Sequence, residues 1–167
     1  LDLVTNMPRY TTELETYYQQ QFIVELNNRL QSNFSANQFM PTAPGSKALQ
    51  ALYIAENPNP SGSKQNLDTA SDGSAYSTVH AKYHPMLRNI MEKNGWRDLY
   101  IVDTLADHII YSVSKRTDFG TSLEDGPFKD TGLAKAYRMD KSAQQGTVVM
   151  VDFESYVPAY GAQALFM

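Results

Sequence analysis

The residues of this sequence that could do chemistry form two close pairs. His80 and His84 lie four positions apart, a spacing that would place both imidazoles on one helical face, as in some zinc sites. No glutamate stands between them and no third ligand is evident, so we expect them to pack and form hydrogen bonds, not to bind a metal. Asp152 and Glu154 lie two positions apart, which puts both carboxylates on one face of a strand. They could act as an acid–base pair, but such pairs are more often structural or fix a cationic or hydroxylated ligand.

Motifs of known enzyme classes are missing or incomplete. Asp118, Phe119 and Gly120 spell the magnesium-binding tripeptide of protein kinases, yet the chain has neither the glycine-rich loop nor the catalytic-loop motif, so we interpret the match as coincidence. No Gly-x-Ser-x-Gly elbow, phosphate-binding loop or dinucleotide fingerprint is present, and without cysteine there is no thiolate nucleophile. We therefore expect that the protein is not an enzyme and uses no cofactor.

Length and charge limit the class of protein further. The chain has 167 residues, of which 42% are hydrophobic, which is enough for one packed structural unit. Its formal net charge of -4 argues against a nucleic-acid partner, which would require a basic face to neutralise phosphates. No apolar run approaches the roughly 20 residues that a membrane helix needs. If the chain belongs to a membrane receptor, we expect its membrane helices to flank this sequence.

Hydrophobic periodicity predicts helices first and strands later. Apolar residues recur every four positions from Tyr10 to Phe34, which is typical of a long amphipathic helix. A second short helix, a long ordered loop rich in Asn, Pro, Gly and Ser, and a third helix that Pro85 kinks or divides are expected to follow. The pattern then changes to short β-rich runs. The remaining predicted elements are strands at 99–102 and 109–113, a helix at 131–139, and strands at 147–153 and 162–166.

This order of elements predicts an α+β fold. Residues 1–94 form a helical stalk and loop region, and residues 95–167 form an antiparallel sheet with a helix against it, the two parts making one structural unit.

Several segments together resemble the Cache family of sensor domains. Gly95 to Asp103 and Ile110 to Val113 resemble the family's first hairpin, and Asp118 to Ala134 resembles the loop and helix over its pocket. Further matching segments are Val151 to Pro158, Asn57 to Lys64 and His80 to Pro85, the last two being similar to a subfamily of methyl-accepting chemotaxis proteins. The resemblance covers most of the chain. It implies a single Cache domain, with the long N-terminal helix and helical segment packed on a PAS-like antiparallel sheet; that sheet has a fifth central strand in the family, whereas four strands are predicted here.

The resemblance also implies a function and a place in the cell. Cache domains lie outside the cytoplasmic membrane, in the periplasm for an inner-membrane receptor, and bind small molecules in a pocket on the sheet. We therefore expect the extracytoplasmic sensor domain of a transmembrane chemoreceptor, which passes ligand occupancy through the N-terminal helix to cytoplasmic signalling modules. The sensor domain of a histidine kinase or nucleotide cyclase, and a protein-recognition scaffold without a small ligand, are the alternatives.

The predicted pocket combines rings for the body of a ligand with polar groups for its ends. Its expected residues, on the sheet and the loop after it, are Tyr100, Tyr111, Lys115, Phe128, Asp130, Asp152 and Tyr156. Each ring could equally be core. The ligand could be an amino acid, an organic acid or an amine, and a carboxylate ligand is favoured if Arg88, Lys115 or Arg116 enters the pocket.

The stripe of the first helix needs a partner, because a helix of this length is not stable alone in water. The resemblance implies a parallel homodimer through this helix. A monomer in which the stripe packs within the chain is the alternative.

Overall fold

The first helix begins earlier than the apolar repeat predicts and also ends earlier. The computed structural model describes residues 3–167, with side chains from Asn6 onwards. Helix α1 (Leu3–Tyr17) continues through a π-helical turn (Tyr18–Phe22) into α2 (Ile23–Leu30), which ends where Gln31 adopts a left-handed conformation, φ 50°. Phe34, the last residue of the predicted stripe, therefore lies beyond the helix, where its ring packs edge-on against Phe39.

The π-helical turn follows from the four-residue spacing of the stripe. In a regular α-helix each step of four residues runs about 40° past a full turn, so the stripe would rotate off one face. A π-helical turn is wider and takes up the additional residue, which brings Phe22 and Leu26 back to the face of Tyr10 and Leu14. All four side chains are buried within the chain. A homodimer through this helix remains a prediction, but it would have to pair the polar outer face.

Two more helices complete the N-terminal part. Helix α3 (Pro44–Gln50) has proline in its first turn, continues through a π-helical turn (Ala51–Ala55) and packs against α1. The loop after it packs down as predicted, since Asn57 Nδ2 donates to the Tyr53 and Lys64 carbonyl oxygens. Helix α4 (Ala75–Lys93) is capped by the Ser74 side chain and runs through Pro85 without being divided.

The four strands form two separate antiparallel hairpins. Strand β1 (Tyr100–Asp103) pairs with β2 (His108–Ser112), and β3 (Val151–Tyr156) pairs with β4 (Ala162–Phe166). The α+β class is confirmed, but the described residues contain no ladder that joins the hairpins into one sheet. The prediction that the third strand begins at Thr147 was wrong by four residues.

Helix α5 (Gly132–Ser142) packs on the second hairpin. Its first residue has to be small, because a Cβ at Gly132 would lie 2.9 Å from Glu154 Oε1 and 3.0 Å from the Phe166 ring. The main hydrophobic core draws on both halves of the chain, from Leu14 and Tyr18 in the first helix to Ile109 and Phe119 after it. Over residues 3–167, no helix is both long and apolar enough to cross a membrane.

Candidate functional site

A groove of about 810 Å³ separates the two hairpins, and we call it the inter-hairpin groove. Apolar side chains of β1, α5 and β4 line its walls, including Val102, Leu133 and Phe166. Two tyrosines of the strands, Tyr100 and Tyr156, lie at its base, where Tyr156 is buried. Both were predicted as pocket residues, and the structure brings them together.

The polar centre of this base is the carboxylate of Asp98. It accepts hydrogen bonds from the Leu99 and Ser114 backbone amides at 2.8 and 2.9 Å and from the Ser112 hydroxyl. It also pairs with Arg116 Nη1 at 3.1 Å, and its side chain is only 4% exposed. These bonds fix the loop after β2 to the start of β1. They also hold one cation at the base of the groove with a carboxylate partner.

A second carboxylate, Asp118, lies behind the two tyrosines. It is fully buried and accepts a hydrogen bond at Oδ2 from the Tyr156 hydroxyl, while Oδ1 has no hydrogen-bond partner among the described residues. Burial raises the pKa of Asp118 to about 6, and the charge of Asp98 adds to the effect, while the Tyr156 and Tyr100 hydroxyls and Arg116 oppose it. The group is therefore mostly ionised at pH 7 in a place where a carboxylate is poorly solvated.

Two carboxylates, of Asp98 and Asp140, and two guanidinium groups, of Arg97 and Arg116, line the groove, while Asp118 lies behind its wall. Because these charges balance, the groove favours a ligand that carries both a protonated amine and a carboxylate group, since each would meet a group of opposite charge. The apolar walls would bury the body of such a ligand.

A chain of buried hydrogen bonds connects this base to the first helix. The side chain of Gln50 on α3 donates from Nε2 to the carbonyl oxygens of Thr117 and Phe119, both at 2.7 Å, on either side of Asp118. Its Oε1 accepts from the Tyr18 hydroxyl at 2.9 Å. Tyr18 begins the π-helical turn of the first helix. One side chain therefore links the loop of Asp118 to the irregular turn of the N-terminal helix.

His80 and His84 lie in a second buried cluster, on the inner face of α4. The His84 Nε2 and Nδ1 atoms lie 2.6 Å from the Gln65 carbonyl oxygen and the Tyr111 hydroxyl, and His80 Nδ1 lies 2.7 Å from the Asp68 carbonyl oxygen. Burial lowers the pKa of His80 to about 3 and of His84 to about 4, so both rings are neutral at pH 7.

The two imidazole rings stack with centroids 4.3 Å apart. The prediction that these histidines pack and form hydrogen bonds is confirmed. In the described part of the chain, no group of three or more His, Asp or Glu side chains is placed to hold a metal ion.

Lys115 lies at the edge of this cluster and is buried without a carboxylate partner among residues 3–167. Its Nζ donates to the Ser112 carbonyl oxygen and lies 4.4, 5.2 and 5.7 Å from the ring centroids of Tyr111, Phe119 and Tyr53. Burial lowers the pKa of Lys115 to about 7, a shift that the charge of Asp98 opposes. The rings partly replace the hydration that the ammonium group has lost.

The predicted pocket residues therefore do not form one site. Tyr100 and Tyr156 line the inter-hairpin groove, whereas Tyr111 and Lys115 belong to the histidine cluster. Phe128 is buried in the core, where its ring stacks on Phe39 at 5.9 Å.

The carboxylates among the predicted residues lie elsewhere. Asp130 and Asp152 are exposed, and Asp152 accepts only a local hydrogen bond from the Phe153 backbone amide. Glu154, the second member of the predicted acid–base pair, forms an ion pair with Lys135 at 2.7 Å. These three carboxylates are surface groups or structural partners, not parts of a pocket.

Sequence reasoning missed the three residues that organise the base of the groove. Asp98 precedes a strand and gives no motif signal, and Asp118 was noticed only within a kinase-like tripeptide. Gln50 lies in a predicted helix, where glutamine is common and carries little information. An available signal was the polar loop that directly follows β2, since loops positioned by a rigid hairpin often carry binding groups.

Comparison of the chain with protein-family models, with curated proteins and with solved structures found no match.

Proposed function

We propose that this chain is the extracytoplasmic ligand-sensing domain of a transmembrane chemoreceptor and that its small ligand binds at the base of the inter-hairpin groove. The observation that carries the proposal is the meeting of Tyr100, Tyr156 and the Asp98–Arg116 pair in a groove of about 810 Å³, a size typical of small-molecule sites.

The charge of the base selects among the ligands considered for such a sensor. Two carboxylates and two guanidinium groups line the groove, so an amino acid, which carries both an ammonium and a carboxylate group, is favoured over a simple amine or an organic acid. The ammonium group of the ligand would approach the tyrosine hydroxyls and Asp98, and its apolar part would contact the walls. Binding of this kind requires no covalent chemistry, and we propose no catalytic role for the site.

The Gln50 contacts offer a route from the groove to the N-terminal helix. A ligand that shifts the loop of Asp118 would alter the hydrogen bonds of Gln50 and, through Tyr18, the π-helical turn. Single π-helical turns occur often at functional sites. Signalling then requires that the ligand bind more tightly to one arrangement of this network than to the other.

The finer fold assignment, a single Cache domain with a PAS-like sheet, belongs to the same proposal. Residues 163–166 of β4 and Met167 after it line the inter-hairpin groove together with Tyr100 and Val102 of β1, so the groove follows the two strands where no ladder joins them. A fifth strand, which the resemblance implies, would pair there and close the base of the groove into a cavity.

A thermal-shift screen of amines, amino acids, organic acids and purines tests the proposal. A ligand that binds only the folded state raises the melting temperature, and we expect amino acids to do so. Tyr100→Phe and Asp118→Asn should weaken that shift, while Asp152→Asn, on an exposed side chain outside the groove, should leave it unchanged.

The proposal fails if no compound stabilises the protein, or if Tyr100→Phe and Asp118→Asn bind a stabilising compound as well as the unmodified chain does. A compound that binds should also change the output of the receptor that carries the domain. A protein-recognition scaffold would show stabilisation by none of these compounds.

A further inference from the structure

A second groove, of about 730 Å³, lies between the first helix, the loop at residues 61–65 and the loop at residues 114–117. Among the residues that the structure describes, five cationic residues line it, whereas Glu25 is the one carboxylate that does. We call it the cationic groove. Its cations are Arg29, Lys64, Arg97, Lys115 and Arg116. Since the whole chain carries a net charge of -4, this concentration of positive charge is local.

Two of these cations are already neutralised. Arg29 pairs with Glu25 at 2.5 Å, and Arg116 pairs with Asp98 at 3.1 Å. The other three have no carboxylate within ion-pair distance in the part of the chain that the structure describes. The positive charge available to a ligand therefore comes from Lys64, Lys115 and Arg97.

Lys64 is a buried ammonium held by neutral groups. Its Nζ donates to the Ile54 carbonyl oxygen at 2.7 Å and to the Asn59 carbonyl oxygen at 3.4 Å, and it lies 5.6 Å from the centroid of the Tyr17 ring. The residue is 6% exposed, and burial lowers the pKa of its amine. Carbonyl oxygens and a ring compensate a buried charge less fully than a carboxylate does.

Lys115 repeats this arrangement on the other side of the groove. It is 1% exposed, donates to one carbonyl oxygen and faces three aromatic rings. Arg97, by contrast, is exposed, and within residues 3–167 its guanidinium has neither an ion pair nor a hydrogen bond. Lys64, Lys115 and Arg97 thus line the same groove without a carboxylate partner, the Lys115 Nζ lying on its inner side against rings that do not line it.

We propose that the cationic groove is a binding site for a small organic anion with at least two negative charges, carried by carboxylate or phosphate groups. Lys64 and Lys115 supply the buried charges, Arg97 closes on the ligand from the solvent side, and the rings of Tyr17 and Tyr160 contact its carbon skeleton. The volume of the groove suits a metabolite-sized molecule, and the net negative charge of the chain disfavours a nucleic acid or another long polyanion.

Titration calorimetry with succinate, citrate and inorganic phosphate tests this site, with sodium chloride matched for ionic strength. Succinamide and 1,4-diaminobutane serve as neutral and cationic controls of similar size. We expect binding by one or more of the anions and by neither control. The carboxylate and phosphate arms show which source of negative charge the groove prefers.

Proton uptake gives a readout that nonspecific ion binding would not. An anion raises the pKa of a neighbouring ammonium group, so Lys115, whose pKa is about 7, should take up a proton on binding at pH 8 and little at pH 6. Calorimetry in buffers of different ionisation enthalpy measures this uptake. The titratable groups around Lys115 are Tyr53, His80, His84, Asp98 and Tyr111.

Two variants link binding to this groove. Lys64→Met keeps the apolar stem of the side chain and removes the charge, and Arg97→Gln changes an exposed residue with little risk to folding. Each should weaken anion binding by about tenfold, in line with the loss of one charge-assisted hydrogen bond. Lys93→Gln, at an exposed lysine of α4 outside both grooves, is the matched control and should leave binding unchanged.

The site is overturned if no anion binds beyond the sodium chloride control, if Lys64→Met and Arg97→Gln bind as tightly as the unmodified chain, or if binding takes up no proton at pH 8. Lys64 lines the cationic groove and not the inter-hairpin groove, so the Lys64→Met result is independent of the sensor proposal, whereas Arg97 lines both grooves. Tyr100→Phe, in the other groove, should bind the anion normally whether or not that groove holds a ligand.

Discussion

The two grooves share Arg97 and Arg116, yet their charges differ: two carboxylates balance these guanidinium groups in the inter-hairpin groove, whereas the cationic groove has five cations beside Glu25. Arg116 lines both and is paired with Asp98, while its neighbour Lys115 has only a carbonyl oxygen and aromatic rings as partners. The loop at residues 114–117 therefore places one of two adjacent cations beside a carboxylate and the other beside neutral groups. The comparison shows that the partner of a charge, more than the charge itself, determines which ligand a groove favours.

The largest effect on stability is expected from breaking the Asp98–Arg116 ion pair. Asp98→Ala removes a carboxylate that accepts from two backbone amides and Ser112 and leaves Arg116 half-buried without its partner. Removal of one member of such a buried pair destabilises a protein by about 3–5 kcal/mol. Denaturant unfolding of this variant, beside Asp125→Ala at an exposed position, measures the difference. A loss below about 1 kcal/mol would mean that Asp98 does not hold the loop.

Acidification is expected to have the next largest effect on stability, with the buried histidines and Asp118 contributing in opposite directions. His80 and His84 have folded pKa values of about 3 and 4 against a usual 6.5, so the unfolded chain binds more protons and stability falls as the pH drops from 6.5 towards 4. Asp118 has a folded pKa of about 6 against a usual 3.8, so the folded chain binds more protons there. Its protonation therefore stabilises the protein as the pH drops from 6 to 3.8 and offsets part of the loss from the histidines.

With two histidines against one aspartate, we expect a net loss of about 2 kcal/mol between pH 7 and pH 5. Unfolding free energies at the two pH values test this. His80→Phe keeps a ring against Tyr53 and His84 and should reduce the acid loss. An unchanged loss would show that His80 titrates normally in the folded protein.

Replacing the neighbouring cations Lys115 and Arg116 by methionine, one at a time, should change stability in opposite directions. Lys115→Met removes an ammonium group without a carboxylate partner and nearly keeps the length of the side chain. At pH 6 it should therefore raise stability by about 1 kcal/mol. Arg116→Met leaves Asp98 unpaired and should lower stability by a similar amount or more.

The pH profile separates charge from packing in this pair. Because the folded pKa of Lys115 is lower than its usual 10.5, the unmodified protein should gain stability as the pH rises from 7 to 10.5, and Lys115→Met should lose that part of the gain. If both variants shift stability in the same direction at every pH, the two cations are not in different electrostatic settings.

How far the sequence predicts this molecule depends on whether the signal is local. The repeat from Tyr10 to Phe34 predicted the first helix, and β-rich runs predicted all four strands, because periodicity reports which face of an element is buried. The same repeat could not predict that an additional residue would be taken up in a π-helical turn, or that the hairpins would lie apart. Those outcomes depend on contacts between distant segments.

The candidate site shows the same limit residue by residue. Tyr100 and Tyr156 were both expected in the pocket, and they come together although β1 and β3 belong to different hairpins. Asp152 was expected there as well, but it lies exposed beside an irregularity in the pairing of β3 with β4. A shift of one residue in a strand moves every side chain to the other face, and sequence alone does not fix that register.

The smallest expected effect is on the coupling energy between Gln50 and Tyr18, which connect the loop after β2 to the first helix. Gln50 joins the Thr117 and Phe119 carbonyl oxygens to the Tyr18 hydroxyl. In a double-mutant cycle of Tyr18→Phe and Gln50→Leu we expect a coupling energy of about 1 kcal/mol, the size found for side chains within one hydrogen-bond network. Measured again with a ligand in the inter-hairpin groove, the coupling should change, because a ligand that shifts the loop shifts the Gln50 partners. An equal coupling with and without the ligand would mean that this route carries no signal, and ligand occupancy would then have to reach the N-terminal helix through the packed core.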